Sequence, residues 1–125
     1  MHDHLKRHTH SFHFAIQGIV HAFLNEPNFA IHIGISLITI ILGLFLRIPK
    51  YEFMLVVILI TMGLAAELAN TAIEEITDLV TKEHRIEAKI AKDVAAGMML
   101  IVAIGASVVG LLIYIPYILN YFTRL

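Results

Sequence analysis

The stretch Glu67-Leu-Ala-Asn70-Thr-Ala-Ile-Glu74-Glu-Ile-Thr-Asp78 gathers the groups in this chain best suited to chemistry. On a continuous helix, at roughly 100° per residue, Glu67, Asn70, Glu74 and Asp78 fall within a wedge of about 80°. Three carboxylates and one amide therefore share a face. Hard carboxylate oxygens in such a row can hold Mg²⁺, which binds through one or two carboxylates and keeps positions for substrate phosphates. A carboxylate partly withdrawn from water can take a proton from a hydroxyl. The row thus suits two jobs, holding a metal ion and abstracting a proton from a hydroxyl. For Asp78 and Glu75, exposure to water or pairing with Lys82, Lys89 and Lys92 is an equally good account.

Other candidates flank this row. Glu26 precedes Pro27, which can open a helix; it reads as a first-turn acid favoured by the helix dipole or as a second metal ligand opposite Glu74. Lys92, in Ala88-Lys-Ile-Ala-Lys92-Asp93-Val-Ala-Ala-Gly97, reads as an interfacial anchor or as a point charge for phosphate. The sequence has no GxxxxGK[ST] loop. Gly105 and Gly110 have its glycine spacing without the lysine and read, with Ala106, as close helix packing.

The elements that must carry these residues are membrane helices. Of the 125 residues 58% are hydrophobic and 15% charged, against about 25% charged in a typical soluble domain. A net charge of −1 argues against nucleic acid as a partner, and the absence of cysteine excludes disulfides and thiolate chemistry. The polar, His-rich start argues against a cleaved signal peptide. Three segments, at about 27–46, 51–80 and 88–120, are long enough to cross a bilayer, and no linker or repeat divides residues 1–125 into more than one domain. From Tyr51, Glu67 lies about 24 Å along the helix axis, near the edge of a hydrocarbon core about 30 Å thick. An ionisable group at that depth is a functional candidate by default.

Lys6, Arg7, Lys82, Arg85, Lys89 and Lys92 lie on one side of these spans, and Arg47, Lys50 and Arg124 on the other. That bias places the N-terminus and the acidic row in the cytoplasm. Before the first span, residues 11–24 carry Phe12, Ala15, Ile16, Ile19 and Phe23 on one stripe, with His13, Gln17 and His21 off it. The segment reads as an amphipathic surface helix or as a helix packed on the bundle. Asn25 reads as a cap for the first span. The histidines at positions 2, 4, 8, 10 and 13 read as a solvated tail, and His32 as a hydrogen-bonded packing residue. Tyr114, Tyr117 and Tyr121, with Pro116, mark the outer belt where the last helix ends.

The run from Glu67 to Asp78, followed by Ala91-Lys92-Asp93-Val-Ala-Ala-Gly97, resembles the prokaryotic diacylglycerol kinase family, and most closely its undecaprenol kinase branch. Ser11-Phe12, Gly18-Ile19 and Asn25-Glu26-x-Asn28-Phe29 fit the same pattern, so the resemblance covers nearly the whole chain. It implies an all-α protein with a surface helix and three transmembrane helices, assembled as a homotrimer in the bacterial inner membrane. Active sites shared between neighbours would face the cytoplasm. It further implies ATP as donor, Mg²⁺ as cofactor, and undecaprenol or diacylglycerol as acceptor. Glu67 would be the general base, Glu26 and Glu74 would hold Mg²⁺, and Lys92 would contact phosphates. Asn70, Asp78 and Asp93 would lie near the nucleotide, and Arg7, Gly18, Glu83, His84 and Arg85 correspond to nucleotide-contacting positions. Ala30 departs from the pattern, because many relatives carry a basic residue there.

Two readings of another class are a non-catalytic membrane subunit and an acid-lined ion pathway. Conduction needs polar groups continuing across the membrane, whereas the first span and the stretch from Val94 to Leu119 of the third carry no acid.

Overall fold

A computed structural model describes the backbone of residues 2–123 and the side chains of residues 10–123. The side chains of Arg7 and of the histidines at positions 2, 4 and 8, and all of Arg124, lie outside the described residues. Four helices follow in order: α1 (His2–Asn25), α2 (Pro27–Leu46), α3 (Lys50–Val80) and α4 (Ile86–Phe122). The helices α2, α3 and α4 are long and apolar enough to cross a membrane. At 1.5 Å per residue α2 measures about 30 Å, α3 about 46 Å and α4 about 55 Å, so α3 and α4 outreach a hydrocarbon core.

Local chemistry sets the breaks. Pro27 occupies the start of α2 and forces Glu26 into an extended conformation (φ −107°, ψ 103°), which separates α1 from α2. Glu26, not Asn25, is therefore the N-cap residue, and no side-chain bond caps that end. Asn25 stays in α1, where its Nδ2 donates to the His21 carbonyl at 2.9 Å. At the other end of α2, Arg47 adopts a left-handed conformation (φ 54°, ψ 44°). The Ile48 N–H donates to the Gly43 carbonyl and the Arg47 N–H to that of Leu44, the two bonds of a Schellman cap. Pro49 is the N-cap residue that precedes α3. Pro116 lies inside α4, which runs on to Phe122, so the tyrosine belt flanks a continuing helix.

Packing is concentrated between α3 and α4, with α2 alongside α3 and in only slight contact with α4. At the α2–α3 turn, Ile48, Val56, Ile113 and Tyr114 form a buried cluster. Tyr114 donates its hydroxyl to the Thr39 carbonyl of α2 at 2.7 Å. Gly43 permits this approach, since a Cβ there would stand 2.8 Å from the Tyr114 Oη and 3.2 Å from Ile48 Cδ1. Gly105 and Gly110, read above as packing glycines, have open space where a Cβ would be. The close-packed glycine of this chain is Gly43.

Between α2, α3 and α4 runs an apolar cleft of about 630 Å³, lined among others by Ser36, Gly63, Met99, Ala103 and Tyr114. The helix α1 meets the bundle through Ala22, which is buried, while Phe12, Ile16, Ile19 and Phe23 remain exposed. Its apolar stripe is thus open along most of its length, as an interfacial helix requires.

Candidate active site

The acidic row lies on one uninterrupted helix, α3, and its burial falls steadily along that helix. Glu67 is 3% exposed, Asn70 and Glu74 are half-buried, and the Asp78 side chain is 57% exposed. At the same end of the bundle Ala22 of α1, Phe29 of α2, Ala66 of α3 and Ala95 of α4 are buried. Small residues on three helices are thus buried at this end of the bundle. Glu67 therefore sits at the foot of a graded face that emerges toward Asp78.

Two contacts organise the middle of this face. Asn70 Nδ2 donates to Glu74 Oε1 at 2.9 Å, one helical turn away. That bond orients the Glu74 carboxylate and leaves Asn70 Oδ1 buried without a partner among the described residues. A buried carbonyl oxygen of this kind carries a desolvation cost unless something donates to it or coordinates it. Further out, Lys92 Nζ donates to Asp78 Oδ1 at 2.6 Å, linking α4 to α3. Glu74 and Glu75 add to the negative potential around that ammonium. The α3–α4 interface thus brings a cation to the acidic row from a position fourteen residues away.

Other candidates are placed less centrally. Lys89 pairs with Asp93 at 2.6 Å within α4, so Asp93 faces along its own helix. In the connection 81–85, Arg85 donates through Nε and Nη2 to Glu83 Oε2 at 3.1 and 2.8 Å, and His84 is exposed. The Glu83 N–H donates to Thr81 Oγ1, which fixes the turn. Gly18 lies on the exposed surface of α1 with open space where a Cβ would be. Glu26 is half-buried at the α1–α2 break. Among the described residues no three His, Asp or Glu side chains form a metal-binding cluster.

The sequence reading passed over Thr71. It is 8% exposed, on the face of α3 that also buries Glu67 one turn earlier. A threonine inside an apolar helix carries no signal of its own. Only its four-residue spacing from Glu67 could have drawn attention to it.

A deep acid, a graded row of oxygens and an incoming cation are a combination suited to phosphoryl chemistry. Comparison with known proteins agrees: residues 13–114 match the prokaryotic diacylglycerol kinase family. The chain belongs to that family of membrane lipid kinases and is a multi-pass membrane protein. It is 38% identical to an undecaprenol kinase of Bacillus subtilis over 112 residues, covering 90% of this chain and 91% of that protein. It is 34% identical over 111 residues to a diacylglycerol kinase of Synechocystis, covering 88% of this chain and 63% of that one. A diacylglycerol kinase of Haemophilus influenzae is 33% identical over 81 residues, 64% of this chain and 68% of the relative.

Proposed function

We propose that this chain transfers the γ-phosphate of ATP to the hydroxyl of a membrane lipid, and that the lipid is undecaprenol. The burial of Glu67 at the foot of an acidic face that emerges from the apolar part of α3 carries this reading. It puts a carboxylate at the boundary where a lipid hydroxyl and a water-soluble nucleotide can meet. Similarity over nine-tenths of both chains to an undecaprenol kinase supports that acceptor. Diacylglycerol is the second reading, supported by the two diacylglycerol kinases.

In this mechanism Glu67 accepts the proton of the lipid hydroxyl while the hydroxyl oxygen attacks phosphorus. Lys92 exchanges Asp78 for a phosphate oxygen, and Asn70 holds the Glu74 carboxylate in a fixed orientation. Asp78, Asp93, Arg7, Gly18 and the 83–85 connection lie on the nucleotide side. The donor set fits Mg²⁺: the carboxylates of Glu26 and Glu74 are hard oxygen ligands, and the orphaned Asn70 Oδ1 adds another beside Glu74. When bound there, Mg²⁺ supplies neutralisation of the phosphate charge. That two carboxylates would hold it, not three, agrees with a cation that leaves positions to phosphates and water.

The working form is a homotrimer in the bacterial inner membrane, with the site at the cytoplasmic face. Six of the nine Lys and Arg residues lie on that side. The exposed apolar faces of α2, α3 and α4 are available to lipid and to neighbouring copies. An ion pathway is disfavoured because Glu52, the acid at the opposite end of α3, is about 22 Å from Glu67, with an apolar helix between them.

The decisive experiment is phosphate transfer from labelled ATP by purified protein in micelles, with undecaprenol and diacylglycerol offered side by side. Preference for undecaprenol is the expected result. Preference for diacylglycerol would reassign the acceptor, and transfer to neither would sink the kinase reading for this chain.

A further inference from the structure

Glu67 and Thr71 are the two buried polar residues among the described ones, and they stand four apart on α3, hence on one face. The Thr71 hydroxyl is also unusual in its bonding. Ser36, Thr39, Thr61 and Thr77 each donate to the carbonyl four residues earlier at 2.7–2.8 Å, the usual resting place of a hydroxyl inside a helix. Thr71 makes no such bond among the described residues, although it is more buried than any of them. Ser107 likewise makes none but is exposed, so water can serve it. The Thr71 hydroxyl is not sealed from the surface, so, unbonded within its own helix and one turn from a buried carboxylate, it is open to an incoming partner.

We propose that this partner is the acceptor hydroxyl of the lipid, so that Thr71 contacts the substrate alongside Glu67; the inference rests on the lipid kinase reading. A lipid alcohol has one O–H and two lone pairs. The O–H donates to Glu67, Thr71 Oγ1 donates to one lone pair, and the second lone pair remains for phosphorus. In the transfer the alcohol proton passes to Glu67 and an oxygen–phosphorus bond forms. The bond from phosphorus to the β–γ bridging oxygen breaks, and ADP leaves. Thr71 keeps its own proton throughout. Its role is to fix the direction of the attacking lone pair, an orientation that a single contact to Glu67 leaves free to rotate.

The test uses full-length protein in micelles and compares Thr71→Val, which keeps the shape and removes the hydroxyl, with Thr71→Ser, which restores the hydroxyl. Loss of one hydrogen bond should lower kcat/KM for the lipid about tenfold in Thr71→Val. The KM for ATP should not change, and Thr71→Ser should recover most of the lipid rate. Unchanged lipid kinetics in Thr71→Val would overturn the proposal. So would equal damage to the ATP and lipid parameters that serine fails to repair, since that pattern marks a packing role. Should valine prevent folding, Thr71→Ala against Thr71→Ser makes the same comparison. Wild-type protein is assayed in parallel: no transfer to any lipid alcohol would strike the kinase reading itself, whereas normal wild-type transfer with an indifferent valine variant would strike only Thr71.

Discussion

Lys92 on α4 donates to Asp78 on α3 at 2.6 Å, and this pair ties the two longest helices together beside the acidic face. Both side chains are substantially exposed, at 36% and 57%, so water and salt screen the attraction. The pair is better suited to holding a cation ready than to stabilising the fold. Lys92→Met should leave the thermal midpoint almost unchanged and reduce phosphate transfer about a hundredfold, as expected for a lost electrostatic contact to the transferring group. A large drop in midpoint with normal turnover would reverse that assignment.

Glu67→Gln keeps the size of the deepest side chain and removes its ability to accept a proton. Transfer should fall by about three orders of magnitude, in the range of general-base deletions. Nucleotide binding, followed by a fluorescent ATP analogue, should survive. Turnover at the wild-type rate would remove Glu67 as the base.

Glu74→Ala should raise the Mg²⁺ concentration needed for half-maximal activity. Asn70→Ala should do the same more weakly, because it frees the Glu74 carboxylate from its 2.9 Å bond without removing it. The two effects should combine less than additively, since both act through one carboxylate. A metal titration of the single and double variants checks this, and full additivity would break the link between Asn70 and Glu74.

Much of the arrangement could be read from residue order. The three spans, the stripe of α1 and the shared face of Glu67, Asn70, Glu74 and Asp78 all follow from helical periodicity, which needs no tertiary information. What periodicity cannot supply is which faces meet. The pairing of Lys92 with Asp78 depends on the contact between α3 and α4, so the sequence left Lys92 between an anchor and a phosphate contact. Nothing in the residue order marks Gly43 as a packing glycine; the position of Tyr114 does. By residue type Asn25 suits the cap of α2, but the extended conformation that Pro27 imposes on Glu26 makes Glu26 the N-cap residue and leaves Asn25 in α1.

Gly43→Ala should destabilise the protein by about 1–3 kcal/mol, the usual cost of overpacking. The new methyl would meet the Tyr114 hydroxyl at 2.8 Å. Tyr114→Phe removes that hydroxyl and its bond to the Thr39 carbonyl, at a cost of about 1 kcal/mol. The double variant should be less damaged than the sum of the two, because phenylalanine makes room for the methyl. Thermal unfolding in detergent measures the cycle, and strict additivity would mean that the clash is relieved elsewhere.

The Tyr114–Thr39 bond has a mechanical consequence as well. It joins α2 to α4 within the wall of the cleft, which Thr39 and Tyr114 both line, and the buried Phe29 lies ten residues earlier on α2, with His32, Ile35 and Ser36 of that wall between. Between those two points little else joins α2 to α4, so that side of the cleft is held by its anchorages more than by its own packing.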